Sequence, residues 1–312
     1  MSSNPLKFRP LPSAIAVGCL FALCMVVGQS HAEAGDFSQI FGGAGRIVVS
    51  IAKFLLYAAA SSRLLNLLFL WLDGRLGAEA VPRVRASVPT RASHLWAFAD
   101  RHVFVLSLVI LAVCWGAYIA ALLPGTLTYD GARSLNQFCA GAPLENHHPV
   151  LMNLLYGLLM HAGRALGSDN WGIFLIVAFQ AAALACALSA VLAESRRRGL
   201  PLAIVVLAAL YFALFPAWGV LAQDAIKDTL FCAVLAWFML RLARVAAPLE
   251  GSAPVGAGDW ALLAASGALV ALTRNNGIYL VAPALLALVL VLFARRGKGG
   301  GASWRQAAVA LA

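Results

Sequence analysis

The sequence predicts an all-α fold, a polytopic transmembrane helical bundle. Two observations carry this expectation. Of 312 residues, 62% are hydrophobic and only 12% are charged. The apolar residues also fall in long runs, with most charges confined to the gaps between them. A bilayer core of about 30 Å takes about 20 apolar residues per helix. Only helices or closed barrels satisfy every peptide group in lipid. Barrel strands alternate apolar and polar residues. These runs are continuous, so about seven or eight helical spans are expected.

The elements follow in order. The first run, Leu11 to Gly28, comes after Lys7 and Arg9. Its basic flank, short apolar core and Ser30-His31-Ala32 fit a signal peptide, and a retained anchor helix fits as well. The second run, Ile47 to Leu72, carries Lys53 and Arg63. A charge at mid-bilayer costs about 3 kcal/mol on insertion scales. Part of this run is therefore expected in the interface or against neighbours. Asp73 to Arg101 holds five arginines and two prolines without apolar period, which reads as a cytoplasmic loop.

The runs Val103 to Leu123, Trp171 to Leu192, Pro201 to Phe215, Thr229 to Leu242, Trp260 to Thr273 and Ile278 to Phe293 then cross in alternation. Between the first two lies a long loop, about 124–170. In it, Pro149 to Leu166 has Leu, Met and Tyr at helical spacing with polar Asn153, His161 and Arg164. This reads as an amphipathic helix lying on the outer membrane surface. The chain stops at Ala312, a few residues into another apolar segment, which reads as a fragment or a shortened chain. Two regions are expected. Residues 1–101 form an N-terminal extension with one or two membrane helices and a basic linker. Residues 102–312 form the transmembrane core, incomplete at its C-terminus.

A net charge of +10 invites a nucleic-acid reading. The basic residues form no stripe on a soluble domain, and their placement follows the positive-inside rule. Of 23 Lys and Arg, sixteen fall in gaps assigned to the cytoplasm, three in or beside the second run, and four on the opposite face. Those four are Arg133, Arg164, Lys227 and Arg274. No nucleic-acid partner is expected. Five of six cysteines lie inside apolar runs, and Cys139 sits alone in a polar loop, so neither a disulfide framework nor a CxxC site is present. No internal repeat is visible.

The outward gaps hold the polar residues that carry chemistry. Asp130, just past an exit helix, is placed to accept a proton from an acceptor hydroxyl. Asp130-Gly131 is equally a turn. His147 and His148 before Pro149 suit phosphate contact, proton transfer or, less well because adjacent side chains diverge, metal ligation, or simply precede a helix whose first turn takes the proline. Asp224, Lys227 and Asp228 open an apolar helix at i, i+3 and i+4, on one face. Acids are stabilised there by the dipole. A lysine is not, and beside free N–H groups it makes an anion site. Alternatively Lys227 neutralises its two neighbours. Arg274 and Asn275 join two apolar runs. Asn276-Gly277 forms turns readily, whereas Arg274 suits a bidentate grip on phosphate or snorkels to headgroups. Gln180, Trp218 and Tyr279 give weaker signals.

The pattern Pro124-Gly125-Thr126-Leu127-Thr128-Tyr129-Asp130, Asn146-His147-His148-Pro149-Val150 and Gln223-Asp224-Ala225-Ile226-Lys227-Asp228 resembles a family of bacterial polytopic membrane proteins of largely unknown function. That family is similar to the GT-C superfamily of membrane glycosyltransferases, which use polyprenyl-phosphate sugars. The resemblance covers about residues 103–295. It implies a GT-C-like core whose first extracytoplasmic loop contains a juxtamembrane helix, residues 149–166. It also implies Asp130 as general base. Lys227, Arg274 and one of His147 or His148 become phosphate contacts, with Asp224 or Asp228 as a second acid. The N-terminal extension lies outside the family's core pattern, and its C-terminal helices and acceptor-binding domain have no counterpart here.

The expected function is inverting transfer of a sugar from a polyprenyl-phosphate donor to a glycan, lipid or protein acceptor of the cell envelope. The site would face outward from the bacterial inner membrane. No cofactor is required by these residues, although a divalent metal is compatible with them. The competing readings are a transporter or flippase for an anionic lipid-linked substrate, which needs polar groups at the midplane and broken helices, and a non-catalytic membrane scaffold.

Overall fold

The computed structural model describes residues 11–79, 91–139, 143, 149–250 and 255–296. Among the described residues the regular structure is helical, and the one β-bridge is isolated. The chain forms two compact units, residues 1–86 and 87–312.

The first unit is built on α1 (Pro12–Ala34) and α3 (Ala44–Glu79), joined through the short α2 (Ser38–Phe41). The buried stripe of α1 is Ala14, Gly18, Ala22, Val26 and Ser30, four residues apart. Small residues let helix backbones approach closely. At Gly18 the contact is with the Ser62 backbone, and Ser61 Oγ donates to the Gly18 carbonyl at 3.0 Å. α1 runs through Ser30-His31-Ala32 without a break. α3 is one continuous helix through Lys53 and Arg63, longer than the expected run.

The second unit contains α4 (Arg91–Arg101), α5 (Val103–Ala121), α6 (Tyr129–Cys139), α7 (Val150–Ala165) and α8 (Asp169–Arg197). It continues through α9 (Leu202–Leu214), α10 (Pro216–Gln223), α11 (Lys227–Glu250), α12 (Ala257–Thr273) and α13 (Ile278–Arg296). Among the described residues of the whole chain, five helices are long and apolar enough to cross a membrane. The count is six if α9 and α10, bent by 55°, form one span. Two further apolar helices, α12 and the stretch Asn275–Leu290, are shorter. Several helices long and apolar enough to cross a membrane are thus present among the described residues. The expected total of seven or eight is reached only by counting the short helices as spans.

α8 is the centre of this unit. It packs against α5, α7, α9, α10 and α11, and 61% of its apolar window is buried, against 6% for α3. Its 29 residues make it about 43 Å long at 1.5 Å per residue, longer than the bilayer core. α7 uses that length. Gly163 lies against Gly172, and Tyr156 lies beside Gln180. Residue numbers fall along α7 as they rise along α8, so α7 folds back antiparallel along α8. This corrects the surface helix expected from the sequence: the apolar stripe Met152, Tyr156 and Met160 faces protein. The polar linker also differs from expectation, because α4 is helical over Arg91–Arg101.

One end of the unit is fastened by arginines. Arg196 forks onto Asp100, Nε to Oδ1 at 2.5 Å and Nη2 to Oδ2 at 3.1 Å. Glu194 accepts from Arg198 at 3.1 Å and from Arg244 at 3.1 Å, joining α8 to α11. The hydrogen bond from Arg196 holds the Asp100 carboxyl below its ordinary value of 3.8. A depressed carboxylate stabilises above the unfolded value and loses that effect as pH falls through the folded one. This clasp therefore stays closed at neutral pH and opens only below about pH 4.

The α7–α8 contact gives a stability test. Gly163→Ala pushes a Cβ into the α8 backbone, an overpacking expected to cost about 1–3 kcal/mol. Gly258→Ala meets open space and should stay within about 0.5 kcal/mol of the parent. Thermal unfolding in detergent compares the two.

Candidate functional site

The site is built where two breaks in the helices meet. After α5 the chain runs as an extended strap through Thr126. After α10 it runs extended through Asp224, with φ −93° and ψ 128°. The two segments pair in parallel. The Thr126 N–H donates to the Gln223 carbonyl and to Gln223 Oε1, both at 3.1 Å, and the Ala225 N–H donates to the Thr126 carbonyl at 2.9 Å. The Thr128 N–H donates to Asp224 Oδ1 at 3.3 Å. Gly125, at φ +128°, turns the strap where a Cβ would strike Val177. Gly131 sits against the Ala225 carbonyl with no room for a Cβ. The start of α6 is thereby pressed onto the second break.

Side chains from α7 and α8 close the junction. Gln180 Nε2 donates to the Asp224 carbonyl, and Tyr156 Oη donates to Gln180 Oε1 at 3.3 Å. Gln180 and Tyr156 are 1% and 2% exposed. A second polar group lies nearby in sequence: Ser134 Oγ donates to Asn153 Oδ1 at 2.8 Å, and Asn153 Nδ2 to Gln137 Oε1 at 3.0 Å, tying α6 to α7.

This geometry corrects the expected arrangement of Asp224, Lys227 and Asp228. Asp224 precedes the helix, so the three do not share one helical face. α11 begins only at Lys227. Lys227 does not neutralise its sequence neighbours. Its Nζ lies 3.0 Å from Asp130 Oδ2, with Lys227 14% and Asp130 37% exposed. Asp228 instead meets Arg274, Nη1 to Oδ1 at 2.5 Å. The Arg274 guanidinium also lies 5.2 Å over the Phe231 ring. Asp130 is in the first turn of α6, not in a tight turn, where the helix dipole favours its charge. Asp224 is 7% exposed.

Five of the expected site residues thus come together in two acid–cation pairs and one buried carboxylate. Asn275, in the 3-10 turn after Arg274, is exposed. His147 and His148 lie outside the described residues. Among the described residues, no group of three or more His, Cys, Asp or Glu forms a metal site. Sequence reasoning undervalued Gln180 and did not single out Tyr156 as a site residue. The available signal was an amide alone in the middle of an apolar run.

The arginine clasp and this junction sit at separate levels of α8. Gln180 and Glu194 are about 21 Å apart at 1.5 Å per residue. A family model described as a family of unknown function (DUF6020) matches residues 140–312, more than half of the chain. The chain belongs to this family. The matched segment contains Asp224, Lys227, Asp228 and Arg274, and Asp130 lies ahead of it. No curated protein and no solved structure matches the chain.

Chemically, the junction offers a carboxylate in contact with an ammonium group, beside a second carboxylate bound to a guanidinium. Such a set can hold an anion and accept a proton within a few ångströms. Two tests follow from the geometry. Gln180→Leu removes one of two donors to the Asp224 carbonyl, which keeps the Ile226 N–H, and leaves the buried Tyr156 hydroxyl without its acceptor, worth about 1–3 kcal/mol. A clear loss of thermal stability is expected, exceeding that of Gln180→Glu. A double-mutant cycle of Asp130→Asn with Lys227→Met should give a coupling of about 0.5–1 kcal/mol, reduced by the exposure of Asp130.

Proposed function

We propose that this chain is a membrane glycosyltransferase of GT-C type. It transfers a sugar from a polyprenyl-phosphate donor to a cell-envelope acceptor at the extracytoplasmic face of the bacterial inner membrane. The observation that carries this reading is the Asp130–Lys227 contact at 3.0 Å. It joins the acid suited to act as base to the cation suited to hold phosphate, from segments 97 residues apart.

In the proposed reaction the donor phosphate draws Lys227 away from Asp130, and Arg274 adds a second contact. The released Asp130 carboxylate accepts the proton of the acceptor hydroxyl. The acceptor oxygen bonds to the anomeric carbon from the far side. The bond between that carbon and the phosphate oxygen breaks, and its electron pair leaves with polyprenyl phosphate. Cations aimed at the leaving phosphate stabilise its developing charge. Asp224 and Asp228 hold the strap and Arg274 in register around these groups.

The transporter reading gains one observation: the 55° bend between α9 and α10 and the extended stretch at Asp224 resemble a broken helix. Its position favours the enzyme. The 20 residues Lys227–Ala246 of α11 form an apolar span by themselves, so the break stands at the end of a span and not at its middle.

Binding of undecaprenyl phosphate to the purified chain in detergent tests the substrate class. Saturable binding, weakened at least tenfold in the Lys227→Ala, Arg274→Ala double variant, is expected if the two cations each contribute about 1 kcal/mol or more. With a matched donor and acceptor, Asp130→Asn should lower turnover about 10²–10⁴-fold, the range for a general base. Full turnover by that variant would falsify the assignment of the base. Donor movement across vesicles without glycosyl transfer would favour the transporter.

A further inference from the structure

Asp130 and Lys227 come from the starts of α6 and α11, and each start is tied back to one helix, α7. On the acid side, Ser134 and Gln137 follow Asp130 by four and seven residues, which puts all three on one face of α6. Ser134 Oγ donates to Asn153 Oδ1 at 2.8 Å, and Asn153 Nδ2 donates to Gln137 Oε1 at 3.0 Å. On the cation side, Tyr156 Oη donates to Gln180 Oε1, and Gln180 Nε2 donates to the Asp224 carbonyl, three residues before Lys227. Asn153 and Tyr156 are both buried and lie about 4.5 Å apart along α7 at 1.5 Å per residue. Within one turn, α7 thus carries the supports of both partners.

The seam between α6 and α7 is polar and closed. Asn153, Ser134 and Gln137 are 3%, 4% and 8% exposed. Replacing every member of such a set by apolar groups of similar shape is nearly neutral in stability, because the folded bonds only replace bonds to water. Gln137 Nε2 is moreover buried with no partner among the described residues, a further cost to the closed seam. Stability therefore does not account for polar groups at this place. What they supply, and aliphatic groups do not, is direction. Gly131 and Leu135 press α6 down by contact alone. Hydrogen bonds weaken steeply off their axis, so a buried bonded network specifies one arrangement of the elements it joins. Two such bonds, about one and two turns beyond Asp130, fix the rotation of α6 about its own axis.

We propose that Asn153 is a positioning residue for the Asp130–Lys227 pair. By gripping Ser134 and Gln137 it turns α6 so that the Asp130 carboxylate meets the Lys227 ammonium group at 3.0 Å. Tyr156, one turn further along α7, holds the opposite side of the pair through Gln180. Asn153 governs this ion pair whatever reaction takes place there, and its effect on turnover rests on the glycosyl-transfer reading.

Variants of the full chain in detergent separate direction from packing. Asn153→Leu is close to isosteric and strands Ser134 and Gln137, so it should lower thermal stability. Adding Ser134→Ala and Gln137→Met removes the stranded groups and should restore the stability of the parent. Lys227 is then read by reductive methylation with formaldehyde, followed by mass spectrometry of its peptide, with the other lysines of the chain as internal reference. Asn153→Leu and the triple variant should both methylate Lys227 about two- to fivefold faster than the wild type, the effect of releasing a partly exposed ion pair. Ser134→Ala alone gives up one bond and should fall between. A wild-type methylation rate in the folded triple variant overturns the proposal. Should the triple variant fail to fold, a wild-type rate in both Asn153→Leu and Ser134→Ala overturns it equally. With a matched donor and acceptor, the triple variant should lose up to about 10²-fold in kcat, the cost of a small misplacement, without a rise in donor KM. Faster methylation with full turnover upholds Asn153 as the positioning residue and removes Asp130 as the base.

Discussion

A helix interrupted among apolar neighbours must find new partners for its peptide groups, since lipid and aliphatic side chains supply none. Between α10 and α11 this requirement is met by the strap after α5. Thr126 supplies an N–H and a carbonyl, and Gln180 reaches across from α8 to the Asp224 carbonyl. Much of the second unit follows from that exchange. The strap fixes where α6 begins, the start of α6 fixes Asp130, and the start of α11 fixes Lys227 opposite it. Gln180 in turn holds Tyr156 and hence the depth at which α7 lies on α8.

Charge is arranged with the same economy. Lys227 and Arg274 each have a carboxylate within ion-pair distance, and Arg164 likewise meets Asp169 at the start of α8. Unpaired ions would carry a desolvation cost beside so much apolar surface. Pairing lowers that cost without fixing the partners permanently, because Asp130 and Arg274 keep more than a third of their side-chain surface open. A phosphate entering there exchanges one anionic partner for another, and the cations are never bare.

The apolar runs made most of the long helices legible, although α1, α3, α8 and α11 continue past the C-terminal ends of their runs into more polar sequence. α4 and α6 were not legible, for a physical reason. Their sequences are polar and short, and their helicity depends on neighbours more than on an apolar period. α7 was recognised as amphipathic, but the pattern does not say whether its apolar stripe meets lipid or protein. That choice is made by Gly163 and Gly172, which let α7 and α8 touch. At the site, the residue set was legible and the pairing was not. Asp224, Lys227 and Asp228 look like mutual partners by spacing. The chain turns extended at Asp224 instead, and partners 97 and 46 residues away take their place. Gln180 illustrates the converse: its importance lies in a backbone carbonyl that no spacing rule marks.

The separation in sequence between Thr126 and Asp224 also has a consequence for biosynthesis. The strap emerges with α5, yet the backbone groups that receive it are made only after α8, α9 and α10 have followed. During translation the strap must remain in water or at the headgroup level while those helices enter the bilayer. Its glycine, threonines and Asp130 suit that waiting position, for they lose little by hydration. The junction is therefore assembled by docking of segments already inserted, not by insertion itself. A nascent chain halted before α10 would hold its helices in place with the strap still unmatched.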